Sequence, residues 1–152
     1  MFLGGLRWFK KGDDVLIVSA PPTILFTVGL AALLKGCSYK LLIHDNYPEM
    51  LVAAGTISKD SLFESLYNFL NRWLYKYTSR VIVVGRDMAV TAKRKVGGLN
   101  IPVSIIPNWA ELESVSPQDK SENTLLASLG LSEKLVLLYA GNMGYPQDID
   151  SI

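Results

Sequence analysis

His44, the single histidine of the 152-residue sequence, directly precedes Asp45 at the end of the apolar run 39–43, in the string YKLLIHDNYPEM. An imidazole so placed can hydrogen-bond a sugar hydroxyl or trade a proton near neutral pH, and a neighbouring carboxylate can orient it. The plainer account is a strand-end histidine satisfied by backbone, with Asp45 and Glu49 as loop carboxylates capping the next helix. Similar punctuation follows each apolar run. Ser19-Ala20-Pro21-Pro22 comes after residues 14–18, Tyr47 and Glu49 lie in the loop after His44, and Gly85-Arg86-Asp87 follows 80–84. Gly141-Asn142-Met143-Gly144 follows 134–140. Glycines let backbone approach a ligand, and successive N–H groups at a strand-to-helix turn make a nest for phosphate. A bare G-x-x-G is equally a tight strand exit.

These residues need a scaffold that brings strand ends together. The runs DVLIV (14–18), YKLLI (39–43), RVIVVG (80–85), VSIIPN (103–108) and KLVLLYAG (134–141) are dominated by consecutive apolar residues, as in parallel strands buried on both faces. Helical patterns alternate with them: 24–36 ends on Lys35 and Gly36, 87–96 ends on a basic turn, and 124–130 is short. The clearest is 61–78. There Leu62, Leu66, Phe69, Leu70, Trp73, Leu74 and Tyr77 recur at helical spacing, and Ser61 with Glu64 matches a capping box. Strand–helix alternation predicts an open α/β layer of parallel strands, whose ligands bind beyond the carboxyl ends of the strands. Residues 111–124 are polar and read as a linker.

Composition removes several function classes. Fifteen basic and fourteen acidic residues leave a formal charge of +1, so no global field recruits nucleic acid. The one cysteine, Cys37, offers neither a disulfide framework nor a metal cluster, and reads as a small semi-buried filler. Residues 15–34 are long and apolar enough to suggest a membrane span, but Pro21 and Pro22 break them into a strand and a helix. The opening FLGGLRWFKK mixes aromatics with cations and fits either an interfacial membrane segment or, slightly better, a packing helix. The KRK run at 93–95 can meet an anionic lipid or a diphosphate, though such runs are more often a solvated helix end. Neither G-x-G-x-x-G nor G-x-x-x-x-G-K-[ST] occurs, which disfavours a simple dehydrogenase or a kinase.

Taken in order, SAPP, HDNYPE, RVIVVGRDM, VSIIPNWAE and LLYAGNMG followed by QDIDSI resemble bacterial family-4 glycosyltransferases of the GT-B fold, closest to the exopolysaccharide, capsule and O-antigen branch. The resemblance implies two Rossmann-like domains facing a cleft, here residues 1–110 on the acceptor side, 111–124 as interdomain linker and 125–152 as the start of the donor domain. It implies a hexosyl-type transferase that uses a nucleotide-diphosphate sugar as substrate, without cofactor or required metal, and a glycan or lipid-linked acceptor. His44 and Asp45 would take the catalytic position near the transferred sugar. Ser19, Pro21, Tyr47, Glu49 and Arg86 would lie on the acceptor side, and Gly141, Asn142, Met143 and Gly144 by the donor diphosphate. The place of work would be cytoplasmic, peripheral at the inner face of the plasma membrane. Members of this branch often carry arginine where His44 stands and tryptophan where Tyr47 stands. They also have an N-terminal strand and glycine-rich loop and an E-x7-E pair that this sequence lacks, so a chain truncated at both ends and inactive alone is expected. The alternative is a non-catalytic remnant or interaction module that pairs with a companion polypeptide.

Overall fold

A computed structural model describes residues 1–141. The chain divides into two units, Met1–Asn108 and a second that begins at Trp109. The first unit runs α1 (Phe2–Trp8), β1 (Asp14–Val18), α2 (Thr23–Lys35), β2 (Ser38–Ile43), α3 (Glu49–Ala53), α4 (Leu62–Lys76), β3 (Arg80–Val83), α5 (Arg86–Lys95) and β4 (Val103–Ile105). Its four strands form one all-parallel sheet in the order β1-β2-β3-β4. The fold is a Rossmann-like α/β layer.

One face of this sheet makes the core. Ile17 pairs in register with Leu41, Leu41 with Val81, and Ile43 with Val83, and all five side chains are buried beneath α2 and α5. Tyr39 joins them, its phenol donating to the Leu74 carbonyl at 2.5 Å and so tying β2 to α4. Gly29 lets α4 approach α2, because a Cβ there would meet Leu74 Cδ1 at 2.5 Å. Gly5 does the same for α1, where a Cβ would stand 2.9 Å from that of Ala31. The N-terminal segment is thus a packing helix. Cys37 is buried, its thiol donating to the Lys10 carbonyl.

The opposite face departs from the expectation of strands covered on both sides. Leu16 is 56% exposed, and Val18, Leu42 and Ile82 are only half-buried. The helices α2 and α5 lie on the first face, so the side chains of alternate parity on β1 to β3 keep water contact. At the polar end of this face Asp14 is bridged by Lys40 and Ser38, which holds its carboxyl below the usual range.

Three further expectations are corrected. Residues 44–50 are not all loop, since α3 begins at Glu49, just after Pro48. The 61–78 helix forms as α4, with Ser61 Oγ accepting from Glu64 N–H at 3.2 Å, but the Glu64 carboxylate accepts from Asp60 N–H, one residue before the box position. Its apolar residues do not all share the buried side. Leu62, Leu66 and Phe69 face solvent, while Asn71, Leu74 and Tyr75 are buried. Third, residues 135–140 form no strand. A strand exists only through a ladder with a neighbour about 4.8 Å away, and residues 135–140 form no ladder with another described segment; Leu137 and Leu138 are exposed. That unit contains α6 (Thr124–Ser128), capped by the Asn123 side chain.

Candidate functional site

All four strands run the same way, so their carboxyl ends, and the loops that leave them, lie along one edge of the sheet. Ser19 leaves β1, His44 and Asp45 leave β2, Gly85 and Arg86 leave β3. Because β2 lies between β1 and β3, the His44 loop occupies the middle of the row. Ser19 is buried, and its hydroxyl oxygen accepts from the backbone N–H of His44 at 2.8 Å and of Asp45 at 3.4 Å. Its own N–H donates to the Leu42 carbonyl, extending the β1–β2 ladder by one residue. Ser19 therefore fixes the backbone from which His44 and Asp45 project.

His44 is half-buried and Asp45 exposed, and no hydrogen bond joins their side chains. The imidazole has no protein partner among the described residues, which leaves both ring nitrogens free for a ligand. Pro21 is exposed in the turn before α2, beyond Ser19. Arg86, the first residue of α5, is exposed and takes part in no ion pair among the described residues. This row of a held backbone, a free imidazole, a carboxylate and a free guanidinium can recognise a polyhydroxyl ligand with acidic character.

Tyr47 and Glu49 are committed elsewhere. The Tyr47 carbonyl accepts from Asn71 Nδ2 at 2.8 Å and from Lys95 Nζ at 2.7 Å, and its ring stacks obliquely on Tyr67. The Glu49 carboxylate pairs with Lys95 Nζ at 2.6 Å. Burial depresses the Lys95 ammonium, and the bond to Glu49 opposes that shift. Glu49 and Lys95 border a cavity of about 550 Å³ between α3, α4 and α5, also lined by Asn71, Arg72, Tyr75 and Arg94. His44 and Ser19 do not line it. Within the KRK run, Lys95 is turned inward, Arg94 lines the cavity and Lys93 is exposed. Sequence reasoning missed Asn71 and Lys95, because a lone amide in a helix and a charge run carry no sign of what they face.

Gly141 lies at the edge of the described residues, and Asn142, Met143 and Gly144 lie outside them. A Cβ on Gly141 would make only ordinary contact with the Tyr139 ring, at 3.7 Å, so local geometry does not demand glycine there. Among the described residues, no three His, Cys, Asp or Glu side chains are grouped to hold a metal ion. Nor is any described helix long and apolar enough to cross a membrane.

Fold and edge together define a Rossmann-like α/β unit that presents polar loops at the carboxyl ends of parallel strands. The chain is similar to the probable glycosyltransferase WbjE of Pseudomonas aeruginosa, with 35% identity over 145 residues, 94% of this chain. It spans 36% of that relative's length. No family model and no solved structure matches the chain.

Proposed function

We propose that this chain is the acceptor-side part of a GT-B glycosyltransferase that moves a hexose-type sugar from a nucleotide-diphosphate donor to a glycan or lipid-linked acceptor in cell-surface polysaccharide synthesis. The observation that carries this reading is the likeness to WbjE along nearly the whole chain. It is supported by the strand-end row, where His44 and Asp45 are held by Ser19 beside the loop of Arg86. His44 and Asp45 face the transferred sugar; Pro21 and Arg86 border the acceptor. Residues 1–110 form the acceptor domain, 111–124 the linker, and 125–152 the start of the donor domain, with residues 141–144 beside the diphosphate. Transfer of this kind depends on donors aimed at the departing diphosphate and on support of an oxocarbenium-like transition state. The chain on its own is expected to transfer little or no sugar, and it works at the cytoplasmic face of the plasma membrane.

Calorimetry with nucleotide diphosphates and their sugars tests the donor side, with Gly141→Val as control. Saturable binding that the substitution removes supports a working phosphate turn. Absence of binding by the folded chain would remove the donor contact from this reading.

A second reading has its own observation. The open sheet face at Leu16 and, in the second unit, the exposed Leu135, Leu137 and Leu138 each suit cover by a companion polypeptide. In that case the chain is a non-catalytic interaction module, and co-expression with the neighbouring reading frames would recover a stable complex.

A further inference from the structure

The strand-end row leaves the exposed stripe of α4 unused. Leu62, Leu66, Phe69, Trp73 and Tyr77 recur at i, i+4, i+7, i+11 and i+15, along one side of the helix. Leu62 is 91% exposed, Leu66 59% and Phe69 68%. The helix is held from its other side, through Leu74 against Gly29 and through Asn71 to the Tyr47 carbonyl. The stripe is therefore a rigid outer surface. Apolar patches of this kind on a folded chain mark an interaction site rather than chance exposure.

Charge identifies the occupant. Arg72, exposed although it also lines the cavity between α3, α4 and α5, and Lys76 flank the stripe, and the Lys76 ammonium lies over the Tyr77 ring at 5.6 Å. The one carboxylate of α4, Glu64, is turned back to cap Asp60. The neighbouring helices repeat the pattern. In α2, Leu30 and Leu34 are exposed just before Lys35, and in α1, Leu3 and Trp8 are exposed beside Arg7, whose guanidinium stands 5.4 Å from the Trp8 ring. Neither α1 nor α2 contains an acidic residue. Apolar and aromatic side chains fringed by cations match a lipid surface with anionic headgroups, where long basic side chains reach the phosphates and aromatic rings sit at the interface. Two copies of the chain paired through the same patch would instead bring like charges together. At fifteen residues α4 is too short to span a bilayer, so it would lie in the plane.

We infer that α4 is an in-plane membrane-binding helix that seats Leu62, Leu66, Phe69 and Trp73 in an anionic lipid surface, with Arg72 and Lys76 on the headgroups. This does not depend on the sugar-transfer reading.

The test is co-sedimentation of the full chain with vesicles of phosphatidylcholine alone or mixed equally with phosphatidylglycerol, together with Trp73 emission in a Trp8→Phe, Trp109→Phe background. Binding to the mixed vesicles and a blue shift of Trp73 are expected. Leu66→Glu with Phe69→Glu, both at exposed positions and checked for native circular dichroism, should weaken binding by roughly tenfold or more. Arg72→Gln with Lys76→Gln should weaken it by roughly tenfold and remove most of its salt dependence. Equal binding by the native chain and the glutamate variant would overturn the inference. So would loss of binding with Leu3→Glu and Trp8→Glu alone, or a stripe-dependent dimer in sedimentation equilibrium without vesicle binding.

Discussion

The hydroxyl of Ser19 and the backbone N–H of His44 stand 2.8 Å apart across the ends of β1 and β2. Ser19 is buried, so the bond has no water to replace it. Ser19→Ala should cost about 1–2 kcal/mol, the usual penalty for leaving a buried donor without a partner. Urea denaturation measures the loss, and amide exchange at His44 and Asp45 should accelerate more than exchange in β3.

Gly29 and Leu74 make a second, sharper prediction. A methyl at position 29 would collide with a fully buried Leu74 side chain, so Gly29→Ala should destabilise the chain by about 1 kcal/mol or more despite its better helix propensity. In a Leu74→Ala background the same substitution should stabilise, by up to about 1 kcal/mol. A double-mutant cycle in urea reads the change of sign.

Alkaline pH probes the core. Burial raises the Tyr39 and Tyr75 phenols, with a smaller contribution from Tyr77 to the first and from Glu49 and Tyr67 to the second. A phenol whose folded value is raised favours the native state fully below its ordinary value of 10.0, and that contribution is lost as pH rises through the interval above it. Lys95 acts with the opposite sign. Its folded value lies below 10.5, so the native chain sheds this proton first, and stability rises with pH across that interval. Thermal melts should show a decline setting in above pH 10 that Tyr75→Phe makes shallower. Lys95→Met should remove the rise on the less alkaline side.

Much of this architecture is legible in the sequence, and the exceptions share a cause. Residues 14–18 and 39–43 announce β1 and β2 because consecutive β-branched and leucine side chains suit little else between turn residues. Gly36 marks the end of α2 because the backbone there is left-handed, at φ +68°. Periodicity shows that α4 has an apolar side, but not that this side is covered. Its buried side carries Asn71 and Tyr75, and Leu62 and Phe69 face water. The pairing of Glu49 with Lys95 spans 46 positions and is settled only by how α3 meets α5. Likewise 135–140 has strand composition, yet a strand is a relation between segments, and composition cannot supply the neighbour. At the site, the strand-end address of His44 is legible, whereas the clamp from Ser19 depends on the side-by-side placement of β1 and β2.

The central claim is that this chain forms the acceptor side of a sugar-transferring enzyme around His44. The most direct measurement replaces the matched 145-residue segment of WbjE with the corresponding part of this chain, and assays the chimera for sugar transfer beside WbjE itself. Sugar transfer by the chimera, and its loss in a His44→Ala version that is expressed and folded to the same level, is the predicted result. A folded chimera that transfers nothing where WbjE does, or one that His44→Ala leaves fully active, would contradict the account.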